Sequence, residues 1–311
     1  MATDIIIPVY KPDERFKRLL EGLARQTVRP DNIIIMYTRK DEDDHLEPEL
    51  IELAMTAGNT KVYELNKSDF DHGRTRAEAV EHSKADAFIM MTMDAIPYDE
   101  FLVENLIKHL LNPKTGAAYA RQMPDKDSSL AERFTRNFNY PEESMRKGKD
   151  DIDRLGVKTF FFSNVCAAYK RDVYEKLGGF IKRTIFNEDM IYAHNLVMSG
   201  YEICYEADAR VIHTHEYSAM QQFHRNFDLA VSQAMHPEVF GDVSSESEGV
   251  RYIKKAAEYF RSEGRGYLII PFIWNCCFKY LGYILGKNYK KLPGWMIRRF
   301  AMNKDFFTVP E

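Results

Sequence analysis

The chain opens with short apolar runs separated by helical stripes. Asp4-Ile5-Ile6-Ile7-Pro8-Val9-Tyr10 is a β-branched run stopped by Pro and reads as a first strand. Phe16, Leu19, Leu20 and Leu23 then recur at helical spacing, predicting a helix over 16–26. The alternation continues with a strand at Asn32–Met36, a helix near Pro48–Ala57, a strand at Lys61–Leu65, a helix over Arg74–Ser83 and a strand at Ala87–Met93. A β-α-β-α-β-α-β order predicts a mostly parallel sheet flanked by helices, with right-handed crossovers. Beyond it the pattern predicts a helix at Glu100–Leu111, a strand near Ala117–Arg121, a strand at Phe160–Val165 and a short strand at Ile203–Tyr205. Residues 124–155 are polar and mixed in charge, and read as a mobile excursion. From 218 onwards the pattern is helical: Met220, Phe223, Phe227, Ala230 and Ala234 trace one stripe, and Val250, Ile253, Ala256, Ala257 and Phe260 another. The expected division is a catalytic domain over 1–217 and a helical region over 218–311.

Composition sharpens this picture at one end. With 311 residues, 45% of them hydrophobic and 29% charged, the chain can bury a full core. The net charge of −4 hides an asymmetry: Val250–Lys304 carries twelve Lys or Arg against two acidic residues. A basic segment on an acidic body suits a polyanionic partner. Tyr267–Leu285 is rich in Leu, Ile, Phe and Tyr, but Pro271, Asn275 and Lys279 interrupt it, so it reads as a poor membrane span. With the basic residues Lys287, Lys290, Lys291, Arg298 and Arg299 beside Trp295, this region suits an interfacial helix on anionic lipid. A helical pair packed on the core or forming a homodimer interface fits the same residues. The apolar interleaving and the lack of a recognition motif argue against nucleic acid. Four cysteines without a C-x-x-C pair fit a reducing compartment, and a strand at the N-terminus leaves no room there for a signal peptide.

Candidate chemistry gathers at strand ends. Phe88–Met93 is a buried-type run that ends in Asp94, followed by Ala95-Ile96-Pro97. In open α/β sheets, ligands bind beyond the carboxyl ends of strands, and an apolar run ending in a lone carboxylate there suits a divalent cation. Asp69–Arg76 has Gly73 for a close turn and Arg76 for a forked contact to phosphate, although a solvated loop with a capping Asp has the same composition. Glu188-Asp189 opens a helical stripe, a place where acids also occur for dipole reasons alone. His213 and His215 sit at i and i+2 on an extended segment and face the same way.

Together, Pro8-Val9-Tyr10, Phe70-Asp71-His72-Gly73-x-Thr75-Arg76, Asp94-Ala95-x-Pro97 and Gly178-Gly179-Phe180 followed by Asn187-Glu188-Asp189 resemble the family 2 glycosyltransferases, their bacterial rhamnosyltransferase-like members above all. Tyr280-Leu281-Gly282 and Leu292-Pro293-x-Trp295 extend the likeness into the C-terminal region. The sequence departs from the family pattern at Met93, at Ala77 and in the turn Tyr37-Thr38-Arg39-Lys40-Asp41. The resemblance implies a GT-A nucleotide-diphospho-sugar fold and an inverting, metal-dependent transfer of rhamnose or another hexose. The implied donor is dTDP-rhamnose or a UDP-hexose, and the implied acceptor a hydroxyl of a cell-surface glycan or lipid-linked molecule. It implies Mn or Mg held by Asp94 with His213 or His215, and a donor site of Pro8, Tyr10, Thr38, Arg39, His72, Gly73, Arg76, Asp94 and Ala95. Asp189 is the implied general base and Glu188 its companion, with Ser163, Asn164 and Asn187 on the acceptor side. The expected location is cytoplasmic, peripheral on the inner face of the plasma membrane. A sugar-nucleotide-binding partner subunit without transfer activity is the competing reading, against which the intact Glu188-Asp189 pair argues.

Overall fold

A computed structural model describes residues 1–241 and 246–308. It divides into two units: one of Met1–Met123, Tyr140–Arg183 and Glu188–His213, the other of Pro124–Asn139, Thr184–Asn187 and residues from Thr214 on.

The first unit is built on β1 (Thr3–Val9), α1 (Glu14–Ala24), β2 (Asn32–Arg39), α2 (Pro48–Met55), β3 (Asn59–Asn66), α3 (His72–Glu81) and β4 (Ala87–Met91). It continues through β5 (Ile96–Pro97), α4 (Leu102–Leu110) and β6 (Thr115–Met123). The sheet runs β3-β2-β1-β4-β8-β6-β9-β5, where β8 is Cys166–Lys170 and β9 is Glu202–Ile212. From β3 to β4 all pairings are parallel, as the alternating pattern predicts. Side chains alternate across β1: Ile5, Ile7 and Val9 pack with Phe16, Leu19, Leu20 and Leu23 of α1 on one face, while Ile6 joins Ala79 and Val80 of α3 on the other.

The far half is mixed. β8 runs antiparallel to both β4 and β6, and β6 pairs parallel with β9. The strand expected at Phe160–Val165 is a correction: this segment is the end of a 3-10 turn followed by a loop, and the strand begins at Cys166. Its backbone groups are engaged elsewhere. The buried Lys147 ammonium donates to the carbonyls of Lys158 and Phe161, and the Asn164 N–H goes to Asp189 Oδ2 at 3.0 Å. Burial pushes Lys147 down to about 7. The real strand, Cys-Ala-Ala-Tyr-Lys, is small-residue sequence and carries a weak apolar signal. Residues 124–155 are not featureless: they hold α5 (Leu130–Asn139), β7 (Met145–Lys147), which pairs antiparallel with β9, and α6 (Ile152–Leu155). α7 (Arg171–Lys176) and α8 (Glu188–Met198) complete the unit.

The second unit contains α5, α9 (Ala219–Met235), α10 (Pro237–Phe240), α11 (Glu246–Ser262), α12 (Ile269–Lys287) and α13 (Gly294–Phe300). α9 and α12 pack backbone to backbone: a Cβ on Gly282 would lie 2.3 Å from the Phe223 carbonyl, and one on Gly286 2.3 Å from that of Phe227. Phe134, Ala256, Phe260 and Phe272 form a second aromatic core between α5, α11 and α12. Pro271 does not break α12, because it lies in the first turn, where no helical N–H partner is lost. Among the described residues one helix, Gly266–Lys287, is long and apolar enough by length and composition to cross a membrane, and 11% of its apolar 18-residue stretch is buried. All four cysteines are free thiols.

Candidate active site

The site begins with a strand pairing. Just past β4 the chain turns, with Ala95 N–H donating to the Thr92 carbonyl at 3.1 Å, and enters β5. β5 pairs antiparallel with the end of β9, Ile96 opposite Ile212. That register sets residue 95 opposite 213 and brings the imidazole of His213 onto Asp94, Nε2 to Oδ1 3.5 Å. Both residues are buried, at 8% and 6% exposure. Arg15, at the start of α1, approaches the other oxygen of Asp94 at 3.6 Å while gripping Asp13. A carboxylate oxygen suits Mn or Mg, and an imidazole nitrogen beside it suits a transition-metal ion, which favours Mn over Mg. Adjacent ligands of an octahedral ion with bonds of about 2.1 Å lie about 3 Å apart, so the 3.5 Å spacing fits a shared cation after small side-chain movement.

The second half of the site lies at the start of α8. The backbone N–H of Asn164 donates to Asp189 Oδ2 at 3.0 Å, and its side-chain amide donates to Glu188 Oε1 at 3.1 Å. The Tyr169 hydroxyl in turn donates to Asn164 Oδ1 and sets the amide's orientation. Arg76 Nε lies 3.3 Å from Glu188 Oε1, and Arg76 Nη1 donates to the His72 carbonyl at 2.9 Å. The two adjacent acids therefore separate in character. Burial alone would raise Glu188, but Arg76, His72 and the Asn164 amide outweigh it and hold Glu188 below its ordinary value. Burial and the charge of Glu188 push Asp189 up to about 7. An acid poised near neutrality suits a proton acceptor.

A base works only when deprotonated, so kcat/KM should fall about tenfold per pH unit below an apparent value near 7. A profile taken at saturating Mn2+ checks this, and a rate that stays flat down to pH 5 would remove Asp189 from the role.

The two halves are joined. His213 Nδ1 meets Gln122 Oε1 at 2.9 Å, and the Gln122 amide donates to Ser163 Oγ at 3.0 Å, one residue before Asn164. The Thr92 N–H also donates to the Val165 carbonyl at 3.0 Å, tying the end of β4 to the same loop. One polar chain thus runs Asp94, His213, Gln122, Ser163–Asn164, Glu188/Asp189, Arg76, His72.

The remaining expected residues fall as follows. Pro8 and Tyr10 lie at the carboxyl end of β1, both half-buried, and Thr38 is buried near the end of β2. Arg39 is engaged by Glu64 at 3.7 Å and Asn66 at 2.8 Å. Asp71 caps α3 by accepting from Gly73 and Arg74 at 2.8 and 3.0 Å, so the capping reading of this loop holds. Gly73 is required there: a Cβ would stand 1.9 Å from the Ile181 carbonyl. Ala95 is fully buried. Asn187 takes a left-handed backbone at φ 65° just before α8, which Asn tolerates better than most residues, and its amide donates to the Leu229 carbonyl at 3.4 Å within the second unit. His215 lies two residues beyond His213, in the stretch grouped with the second unit. Arg15, Gln122 and Tyr169 join the site without a sequence motif of their own. Gln122 is near the carboxyl end of β6, where the strand-end rule points. Arg15 and Tyr169 carry no local signal.

Among solved structures, a mannosyltransferase from Pyrobaculum calidifontis in complex with GDP-Man and Mn2+ is similar at a TM-score of 0.62, with 15% identity, over 93% of this chain and 88% of that one. TarS 1–349 of S. aureus in complex with UDP-GlcNAc gives 0.53 with 12% identity, over 94% and 92%. The fold is that of a GT-A glycosyltransferase, and a carboxylate at a strand end beside a Glu-Asp pair is consistent with that class. The profile of Glycosyl transferase family 2 matches residues 4–178. The chain is 35% identical over 310 residues to the O-antigen chain rhamnosyltransferase RfbN of Salmonella typhimurium, covering 99% of this chain and 96% of that protein. It is 33% identical over 307 residues to the O-antigen chain rhamnosyltransferase WbaN of Salmonella anatum, covering 98% and 95%. The chain belongs to glycosyl transferase family 2, and it is a glycosyltransferase.

Proposed function

We propose that the protein is an inverting, divalent-metal-dependent rhamnosyltransferase. It would take the sugar from a nucleoside-diphosphate donor, dTDP-rhamnose first, and place it on a hydroxyl of a lipid-linked O-antigen-type glycan. The polar chain linking Asp94 and His213 to Glu188 and Asp189 carries this reading. The names of the two Salmonella relatives support the sugar and the acceptor class. Asp94 and His213 would hold the cation. When bound there, Mn or Mg supplies positive charge to the diphosphate leaving group. Asp189 would take the acceptor proton as that oxygen attacks the anomeric carbon from the face opposite the diphosphate, so the linkage inverts in one displacement. Positive charge grows on the sugar ring, as in glycoside hydrolysis. Glu188 stays ionised against Arg76 and holds the Asn164 loop that orients Asp189. No covalent sugar–enzyme intermediate is needed.

Because only a ligand that binds the native state stabilises it by mass action, a thermal-shift panel of nucleotide sugars with Mn2+ tests the donor. dTDP-rhamnose should raise the Tm, and UDP-hexoses should not. A shift confined to UDP-hexoses would replace the donor. Donor binding without transfer or hydrolysis by the pure protein would indicate a binding subunit instead.

The C-terminal region would place the enzyme on the inner face of the plasma membrane. On α12, Ile270, Trp274, Leu281 and Ile284 are 78, 61, 50 and 40% exposed, and Trp295 nearby in sequence is 63% exposed. Lys287 ends the same helix, and Lys290, Lys291, Arg298 and Arg299 follow it. Each basic residue near an anionic surface contributes about 1 kcal/mol. Flotation with vesicles containing phosphatidylglycerol should recover the protein and neutral vesicles should recover less, with the difference shrinking as salt rises. No flotation together with a dimeric mass in solution would assign the apolar face to a homodimer.

A further inference from the structure

Gln122 links the two halves of the site, and the reading above gives its side chain no part in holding the metal. β6 pairs parallel with β9, Gln122 opposite Val211 and Met123 opposite Ile212, and the His213 N–H donates to the Met123 carbonyl at 3.0 Å. The Gln122 side chain is 3% exposed. Its amide nitrogen donates to the Tyr140 hydroxyl at 2.5 Å and to Ser163 Oγ at 3.0 Å. With the amide hydrogens directed at two hydroxyls, the carbonyl oxygen faces the ring of His213, 2.9 Å from Nδ1. A carbonyl accepts only, so Nδ1 carries the proton and Nε2 presents its lone pair. Nε2 is the atom that faces Asp94 Oδ1 at 3.5 Å.

We propose that Gln122 is a positioning residue that holds His213 in its Nδ1–H tautomer, making Asp94 and His213 a ligand pair for a divalent cation instead of a closed His–Asp hydrogen bond. The opposite ring tautomer would put a proton between Nε2 and the carboxylate and remove the lone pair a cation needs. The same amide grips Ser163, so the metal-facing histidine and the loop that orients Asp189 are set by one side chain. This inference rests on the metal reading above, and the experiment separates the two.

Wild type, Gln122→Leu, Gln122→Glu and His213→Ala are compared by Mn2+ titration followed by electron paramagnetic resonance, and by 15N NMR of the His213 ring without metal. The wild-type ring should show the Nδ1–H tautomer. Gln122→Leu should shift it towards Nε2–H and weaken Mn2+ about 10- to 100-fold, as loss of a ligand's hydrogen-bond partner does. Gln122→Glu keeps an oxygen facing Nδ1–H, its other oxygen can accept from the Tyr140 and Ser163 hydroxyls, and it should hold Mn2+ at least as tightly as wild type. A merely structural role would leave the ring of Gln122→Leu in the wild-type tautomer. An Nε2–H ring in the wild type, or a Gln122→Leu protein that binds Mn2+ as the wild type does while His213→Ala does not, overturns the positioning role and leaves the metal reading standing. Equal Mn2+ binding by wild type and His213→Ala overturns the metal reading, and this inference with it.

Discussion

Replacing Asp189 by Asn should abolish transfer, with kcat reduced by about 10²–10⁴, while nucleotide-sugar binding and the fold remain. The amide is isosteric with the carboxyl, and its oxygen can still accept from the Asn164 N–H that now donates to Asp189 Oδ2. What it lacks is a basic oxygen for the acceptor proton. The thermodynamic sign provides an internal control. Asp189 is raised to about 7 from an ordinary carboxyl value of 3.8. Between those values the folded protein keeps a proton that the unfolded chain has released, so this residue's contribution to stability falls as pH rises from about 4 to about 7. The Asn variant escapes that loss. Relative to wild type it should therefore be more stable at pH 8 than at pH 4, as urea titrations at the two pH values would show. Near-normal turnover by the purified variant would sink the base assignment. An inactive variant that had also lost donor binding would point to a collapsed site instead.

Asp94→Ala should remove the metal dependence of donor binding. Loss of a partner that merely supports a metal ligand costs about 10- to 100-fold in affinity, and loss of the ligand itself should cost at least the upper figure. Donor titrated with and without Mn2+ should give two different curves for the wild type and one weak curve for the variant. The substitution also leaves Arg15, now 3.6 Å from Asp94, with Asp13 as its remaining acidic neighbour in that pair of contacts. Mn2+-independent donor affinity in the wild type would sink the metal reading without touching Asp189, because the two carboxylates do different work.

Much of this is legible in the sequence alone. The segments β1 to β4 follow from local periodicity, since Ile5 to Ile7, Ile33 to Ile35 and Phe88 to Met91 are buried runs whose neighbours along the chain are the helices that cover them. Asp94 at a strand end and Glu188-Asp189 at a helix start are also local features, and the structure leaves both where the pattern puts them. The strand at 166–170 was displaced by several residues for a reason local pattern cannot carry. Three phenylalanines at 160–162 look more like a strand than Cys-Ala-Ala-Tyr does. The small residues are in the sheet because helices pack closely there, as at Gly116 of the neighbouring β6, where a Cβ would meet Leu196 at 2.7 Å.

What the sequence determined by itself is the set of elements with a strong period and the residues at their ends. A helix or strand is specified by neighbours within a few positions, so its signal survives in one dimension. Partners were decided by the tertiary structure alone. That His213 faces Asp94 follows from β5 pairing with β9 across more than a hundred residues. That Arg76 keeps Glu188 ionised, so that its charge with burial raises Asp189, and that Gln122 orients His213, likewise rest on contacts between distant strands and helices. Such neighbours arise only when the sheet closes, and the charge state of each carboxylate depends on them.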